Sequence, residues 1–402
     1  MDTHSLPDDS YWTKGLKRNR AVVALLRLPL TPWVKWRYRY RCKKYTPKDK
    51  TFLLLTNHTS TADHFMNAMG VKGYMRFVAS DHLMRKGFLS SVLRFLVNPI
   101  PRRKAVSGEA TTQMILQNLR LGVPVILYPE GNRCFNGRTG FIPPRTGELV
   151  KNAAGSMITY RIDGAYLQTP RWGHTLRRGP VFGQVVREYS REELNKMSAE
   201  EICAHIREDL YTDAYAFSRE HQYRYPGKNK AEHLETTLFV CPACGRTEGL
   251  KSEGDRFFCP CGMSGEVNDY GFFEGENLRF DNVYDWDMWQ RGVLEKRVQD
   301  CRESGEAVTR DAGAVLYRVS GDSREMLGSG LDMRLYTDRL EFTGGGKTFS
   351  FPMDGLSRMA VAHTAFLFFT FRDEYYEVRN EHVWPANKYF ALHRMVKGMP
   401  YV

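Results

Sequence analysis

The chain has 402 residues and a formal charge of +12. That length calls for two or three domains rather than one core. Thirteen Lys or Arg against four acidic residues in the first fifty positions account for +9 of the charge, so the positive field is local and faces one anionic partner surface. Eight cysteines, four scattered and four clustered, point to a reducing compartment and a metal rather than a disulfide framework.

The first apolar run, residues 21–30, is interrupted by Arg27 and Pro29. It is too short for a membrane span and is followed by no small-residue cleavage site. Its flanks carry Trp12, Trp33, Trp36, Tyr38 and Tyr40 among Lys and Arg. This is the chemistry of a segment lying at a membrane surface, and residues 1–44 are read as such.

Short apolar runs at 52–55, 76–79, 123–128 and 156–162 alternate with helical stretches such as 108–121 and 147–154. The expected class is therefore α/β, with a layered sheet. The run 52–55 delivers Asn57-His58-Thr59-Ser60-Thr61-Ala62-Asp63 into a polar turn. Taken alone, Ser60 to Asp63 reads as a helix capping box. A strand-to-turn position at a sheet edge gives it a second reading, in which Asp63 orients His58 as a general base.

Next come Ile100-Pro101-Arg102-Arg103-Lys104, three cations after a proline, and then Tyr128-Pro129-Glu130-Gly131-Asn132-Arg133 after the run 123–128. Gly131 permits a tight turn, and Arg133 has the fork geometry for phosphate. A polar helix opened by the capping box Ser198 to Glu201 is expected to run to about 220, followed by a linker near 225–230.

Cys241-Pro-Ala-Cys244 and Cys259-Pro-Cys261 form two knuckles inside residues 238–275. Four thiolates suit tetrahedral zinc, and each knuckle is followed by a glycine. The second knuckle is one residue short of C-x-x-C. A structural Zn²⁺ held by Cys241, Cys244, Cys259 and Cys261 is expected, with no open position for catalysis. A linker helix follows at 284–303. Residues 314–402 change to a period of two, with a terminal helix from about 387 to 397, and read as a β-rich, pleckstrin-homology-like domain. His363 and His393 stand alone there and read as structural.

The blocks at 57–63 and 128–133, in this order and spacing, resemble the glycerolipid acyltransferase superfamily, whose type members are the 1-acyl-glycerol-3-phosphate acyltransferases. The resemblance covers about residues 45–220, and the domain is drawn as 45–225. It implies an acyltransferase-type αβ sheet with His58 and Asp63 catalytic. The acyl group would come from acyl-CoA or acyl carrier protein and pass to the free hydroxyl of lysophosphatidate, giving phosphatidate for phospholipid synthesis. Arg103, then Arg102, stands in for the family's second-block arginine. With Arg133 it would hold the acceptor phosphate, while Glu130 and the Gly131 turn shape that phosphate site. No cofactor is required for catalysis. The fourth block, Met157 to Gly164, lacks the family's proline, so glycerol-3-phosphate and other lysophospholipids remain as acceptors. A peripheral or monotopic enzyme on the cytoplasmic side of the membrane is expected. The rival from another class, a nucleic-acid-binding zinc-ribbon protein, is disfavoured because residues 230–402 are not strongly basic.

Overall fold

The computed structural model describes residues 7–80, 88–102, 105–106, 108–247, 249–321, 323–362 and 364–399. Arg103, Lys104 and His363 lie outside the described residues. The chain begins with α1 (Asp9–Thr13) and α2 (Leu16–Arg37), and then enters an α/β unit. Its elements are β1 (Tyr40–Cys42), β2 (Phe52–Thr56), α3 (Asp63–Gly70), β3 (Arg76–Ser80), α4 (Phe88–Val97), β4 (Ile100–Arg102), α5 (Glu109–Arg120) and β5 (Val125–Leu127). They continue with α6 (Arg145–Asn152), β6 (Ser156–Asp163), α7 (Ala165–Gln168), β7 (Val181–Tyr189), α8 (Arg191–Lys196), α9 (Ala199–Leu210) and α10 (Ala214–His221).

The seven strands lie in the order β1-β7-β6-β2-β5-β3-β4, parallel throughout except for the antiparallel pair β6/β7. A parallel sheet covered on both faces needs continuous apolar strands. β2 is such a strand, FLLLT with every residue buried, and it lies at the centre. Its neighbour β5 ends at the same edge, with Leu55 opposite Leu127. The turns after β2 and β5 therefore meet, although about seventy positions separate them in sequence.

Two features of the N-terminus go beyond the sequence reading. α2 runs unbroken through Arg27, Pro29 and Pro32 for 22 residues. Prolines at 29 and 32 cost the helix the bonds to the carbonyls of Leu25 and Leu28. Both residues are among the exposed ones on this helix, so those carbonyls are not stranded in a core. Nor do all the N-terminal aromatics face outward. Trp12 is fully buried, its Nε1 donating to Gln117 Oε1 at 2.8 Å, and Tyr40 is buried beside Tyr160. Trp33 and Trp36 do remain exposed.

The polar helix expected from 198 to 220 is two helices. α9 ends at Leu210, and Asp213 caps α10 by accepting from the amides of Tyr215 and Ala216.

Beyond 225 come four short antiparallel strands, β8 (Lys251–Glu253), β9 (Arg256–Phe258), β10 (Ser264–Val267) and β11 (Phe273–Glu274). A 22-residue helix, α11 (Val283–Ser304), leads to β12 (Thr309–Ser320), β13 (Ser323–Leu335), β14 (Arg339–Gly344), β15 (Lys347–Pro352), β16 (Leu356–Ala362), β17 (Phe366–Phe371) and β18 (Glu374–Asn380). These seven antiparallel strands lie in the order β15-β14-β13-β12-β18-β17-β16 and are followed by α12 (Ala386–Val396). The β-rich C-terminal expectation is met. One apolar cluster joins α11, the β-strands and α12, and His393 is buried within α12.

Candidate active site

His58 leaves β2 two residues after its end, and Asp63 opens α3. Asp63 Oδ2 takes three donors: Thr59 N at 2.8 Å, Ser60 N at 2.9 Å and, from the ring, His58 Nδ1 at 2.8 Å. The local turn thus builds the carboxylate's seat, and the carboxylate then fixes the imidazole. With Nδ1 committed, Nε2 is left as the basic nitrogen. Asp63 is fully buried, while the His58 side chain keeps 23% exposure, enough for a substrate to reach it.

Burial moves the His58 pKa below 6.5. Asp63 opposes that shift, and the positive charges of Arg133 and Arg171 add to it. A neutral imidazole at pH 7 is the form a general base needs. Below it lies Tyr128, its ring 4.3 Å from that of His58. The Tyr128 hydroxyl accepts from Asn67 Nδ2 and donates to His64 Nδ1, both at 3.0 Å. His64 is held neutral, its pKa brought down to about 3 chiefly by burial.

The turn after β5 interlocks with the turn after β2. Glu130 Oε1 accepts from His58 N at 2.8 Å, and its Oε2 accepts from Gly140 N at 2.7 Å. Cys134 N donates to His58 O at 2.7 Å. The sequence reading had Glu130 shape the phosphate site; in the structure both its oxygens accept from main-chain amides. It is a brace for the His58 backbone. Burial, outweighing those two amides, brings its pKa up to about 7. Gly131 sits at φ +71°, a conformation disfavoured for any residue with a Cβ. Asn57 ties the same turn to the end of β6, donating to and accepting from the Ile162 main chain at 2.8 Å each.

Arg133 Nη2 donates to Pro170 O at 3.3 Å. Arg171 donates to Arg133 O and lies 3.7 Å over the Phe135 ring. Arg171 is a cation near His58 that the sequence did not reveal. It follows α7 in an irregular stretch, and its only signal was an arginine wedged between Pro170 and Trp172. Arg102 closes β4, and its Nη1 donates to Val106 O at 3.0 Å. It shares the sheet edge with the dyad but sits three strands from β2. Beyond Arg133 lies a cavity of about 350 Å³, with Arg138, Tyr211, Tyr284 and Met288 in its wall.

The four cysteines form a separate centre. All their Sγ atoms lie within 4.8 Å of one another, with Cys241 to Cys261 at 3.7 Å and Cys244 to Cys259 at 3.8 Å. Tetrahedral Zn–S bonds of about 2.3 Å place sulfurs about 3.8 Å apart, so the donor set fits Zn²⁺. The short second knuckle still delivers both thiols. Gly245 and Gly262 take positive φ, 71° and 100°, where each knuckle turns.

Against known proteins, residues 37–162 match the acyltransferase family model. These residues contain both interlocking turns, so the acyltransferase match falls on the part of the chain that builds the site. Among solved structures, the chain is similar to the 1-acyl-sn-glycerophosphate (LPA) acyltransferase PlsC from Thermotoga maritima. The identity is 20%, over 48% of this chain and 78% of that one, with a TM-score of 0.41. A comparison with curated proteins found no match.

Proposed function

We propose that the protein transfers a fatty acyl group from an acyl thioester, on coenzyme A or acyl carrier protein, to the free hydroxyl of lysophosphatidate, making phosphatidate at a membrane surface. The observation that carries this reading is the His58–Asp63 pair, with Nδ1 anchored at 2.8 Å and the imidazole biased to its neutral form. His58 Nε2 takes the hydroxyl proton as the acceptor oxygen attacks the thioester carbonyl. The tetrahedral adduct then expels the thiolate, and the imidazolium returns its proton to the sulfur. Asp63 stabilises the cation between those steps. Arg133, with Arg102 and Arg103 on the second arm, is assigned to the acceptor phosphate, and Arg171 adds positive potential. The zinc ligands take no part in the chemistry; a bound Zn²⁺ would hold the knuckles together.

The membrane assignment draws on α2, where Leu25, Leu28, Trp33 and Trp36 are 66, 72, 45 and 65% exposed among basic residues. No helix among the described residues is long and apolar enough to cross a membrane.

The test is transfer from labelled acyl-CoA or acyl carrier protein to lysophosphatidate, glycerol-3-phosphate and other lysophospholipids in liposomes. Wild type should prefer lysophosphatidate and His58→Ala should be inactive. A His58→Ala enzyme with full activity, or a wild type inactive with every pair, refutes the assignment.

A further inference from the structure

The chain after Arg102 and the turn that holds Arg133, the arginines assigned above to the acceptor phosphate, both run into the C-terminal part of the chain. After β4, the main chain passes Ala105 with φ +55°, a left-handed conformation that alanine rarely adopts. Two side chains of the β-rich domain hold it there. Thr370 Oγ1, from β17, donates to Ala105 O at 2.6 Å, and Arg358 Nη1, from β16, donates to Val106 O at 3.2 Å. Val106 O is also the acceptor for Arg102 Nη1 at 3.0 Å. One carbonyl therefore joins an arginine of the catalytic sheet to an arginine of the β-rich domain. Ala105 is buried in a small apolar cluster with Val319, Ala362, Phe368 and Tyr375, all from that domain.

The loop after β5 is braced from the same side. Phe135 stacks against Phe390 of α12 with ring centres 6.3 Å apart. Asn136 Nδ2 donates to the buried Asp287 of α11 at 2.8 Å. Asp287 in turn accepts from Gln290, whose Oε1 accepts from the Phe239 and Val240 amides just before Cys241.

We infer that the C-terminal β-rich domain is a positioning scaffold for the acceptor-phosphate arm, with Thr370 and Arg358 as its positioning residues. They fix the carbonyls of residues 105 and 106, and the Val106 carbonyl fixes the Arg102 guanidinium. The inference rests on the acceptor reading above. It gives the appended domain a task in catalysis without placing any of its atoms on the substrate. Arg102 stands at a sheet edge, where a free arginine side chain would sample many rotamers. A preset guanidinium binds phosphate without paying that ordering cost on binding.

The experiment compares full-length wild type with Thr370→Val, Arg358→Gln and Thr370→Ser. Amide hydrogen exchange is followed across residues 105–106, and KM is measured separately for lysophosphatidate and for acyl-CoA. Loss of one such hydrogen bond is worth about a factor of five in an equilibrium constant. Thr370→Val and Arg358→Gln should speed exchange at 105–106 and raise the lysophosphatidate KM about fivefold, leaving the acyl-CoA KM and the melting temperature unchanged. Thr370→Ser, which keeps the hydroxyl, should behave as wild type. Unchanged exchange and unchanged KM in an active enzyme overturn the inference alone. So does a rise in both KM values with a lower melting temperature, which marks a merely structural contact. Faster exchange in a protein that acylates no phosphorylated acceptor overturns the acceptor reading, and this inference with it.

Discussion

Replacing Asp63 by Asn isolates the charge from the geometry. In the native turn one carboxylate oxygen receives Thr59 N, Ser60 N and His58 Nδ1, at 2.8 to 2.9 Å. The Asn carbonyl oxygen can occupy that position and keep all three donors, so the turn and α3 should survive. What is lost is the negative charge beside the imidazolium formed in the transition state. Unit charges about 4 Å apart attract by about 4 kcal/mol at an effective dielectric constant of about 20. The amide dipole replaces between none and about half of this, so the barrier should rise by about 2 to 4 kcal/mol. At about 1.4 kcal/mol per decade, kcat should fall about 30-fold to 1,000-fold. The assay is release of free coenzyme A thiol at saturating lysophosphatidate, with the melting temperature followed in parallel. Both KM values and the melting temperature should hold. An Asp63→Asn enzyme within threefold of the wild-type kcat would show that His58 needs no counter-charge and would refute the general-base assignment. A collapse of the melting temperature would show that Asp63 is a structural cap instead.

Three further outcomes follow from the same geometry. Because burial, with Arg133 and Arg171 added, lowers the His58 pKa, the acid limb of kcat/KM should have its midpoint below pH 6.5. Arg171→Gln should move that midpoint upward, as a pH–rate profile will read. His393, buried in α12, has its pKa brought down from 6.5 to about 4, mainly by burial. Between those values the unfolded chain binds a proton that the folded chain refuses, so this contribution is intact above pH 6.5 and is lost progressively toward pH 4. The loss is about 3 kcal/mol, and urea titrations should show His393→Leu losing less stability than wild type between pH 7 and pH 4.5. Metal analysis of purified protein should find about one zinc per chain, and Cys259→Ser should abolish most of it and lower the melting temperature.

What the sequence shows and what it hides divides along the range of the interactions. His58 and Asp63 were legible because six consecutive residues of one turn contain both the base and its orienting acid. The four cysteines were legible for a similar reason, since metal geometry constrains spacing within a short segment. The bracing role of Glu130 was hidden because its partners are the main-chain amides of residues 58 and 140, which meet it only once β2 and β5 lie side by side. β7 was missed because its nine residues alternate irregularly between buried and exposed, with no clean period of two or 3.6. Trp12 and Trp36 look alike in a basic aromatic stretch. Only a tertiary partner, Gln117, marks the first as core and leaves the second on the surface. Arg171 carried no pattern, because a cation approaching His58 from an irregular loop needs no periodicity.

The ties around His58 separate two kinds of control in this molecule. Its main-chain N–H is held by Glu130 and its carbonyl by Cys134, so two hydrogen bonds tie the base to the turn leading to Arg133. Arg102 is outside those ties. It is fastened through Val106 to a carbonyl that the β-rich domain also grips. A disturbance of the first set of ties displaces the base from its acid and from one arginine together, and its effect falls on the chemical step. A disturbance of the second moves an arginine while the dyad stays intact, and on the proposed reading its effect falls on capture of the acceptor. On the proposed function, that division separates acceptor choice from the chemical step. The pieces that select the acceptor can then change without disturbing the hydrogen bond at 2.8 Å on which proton transfer depends.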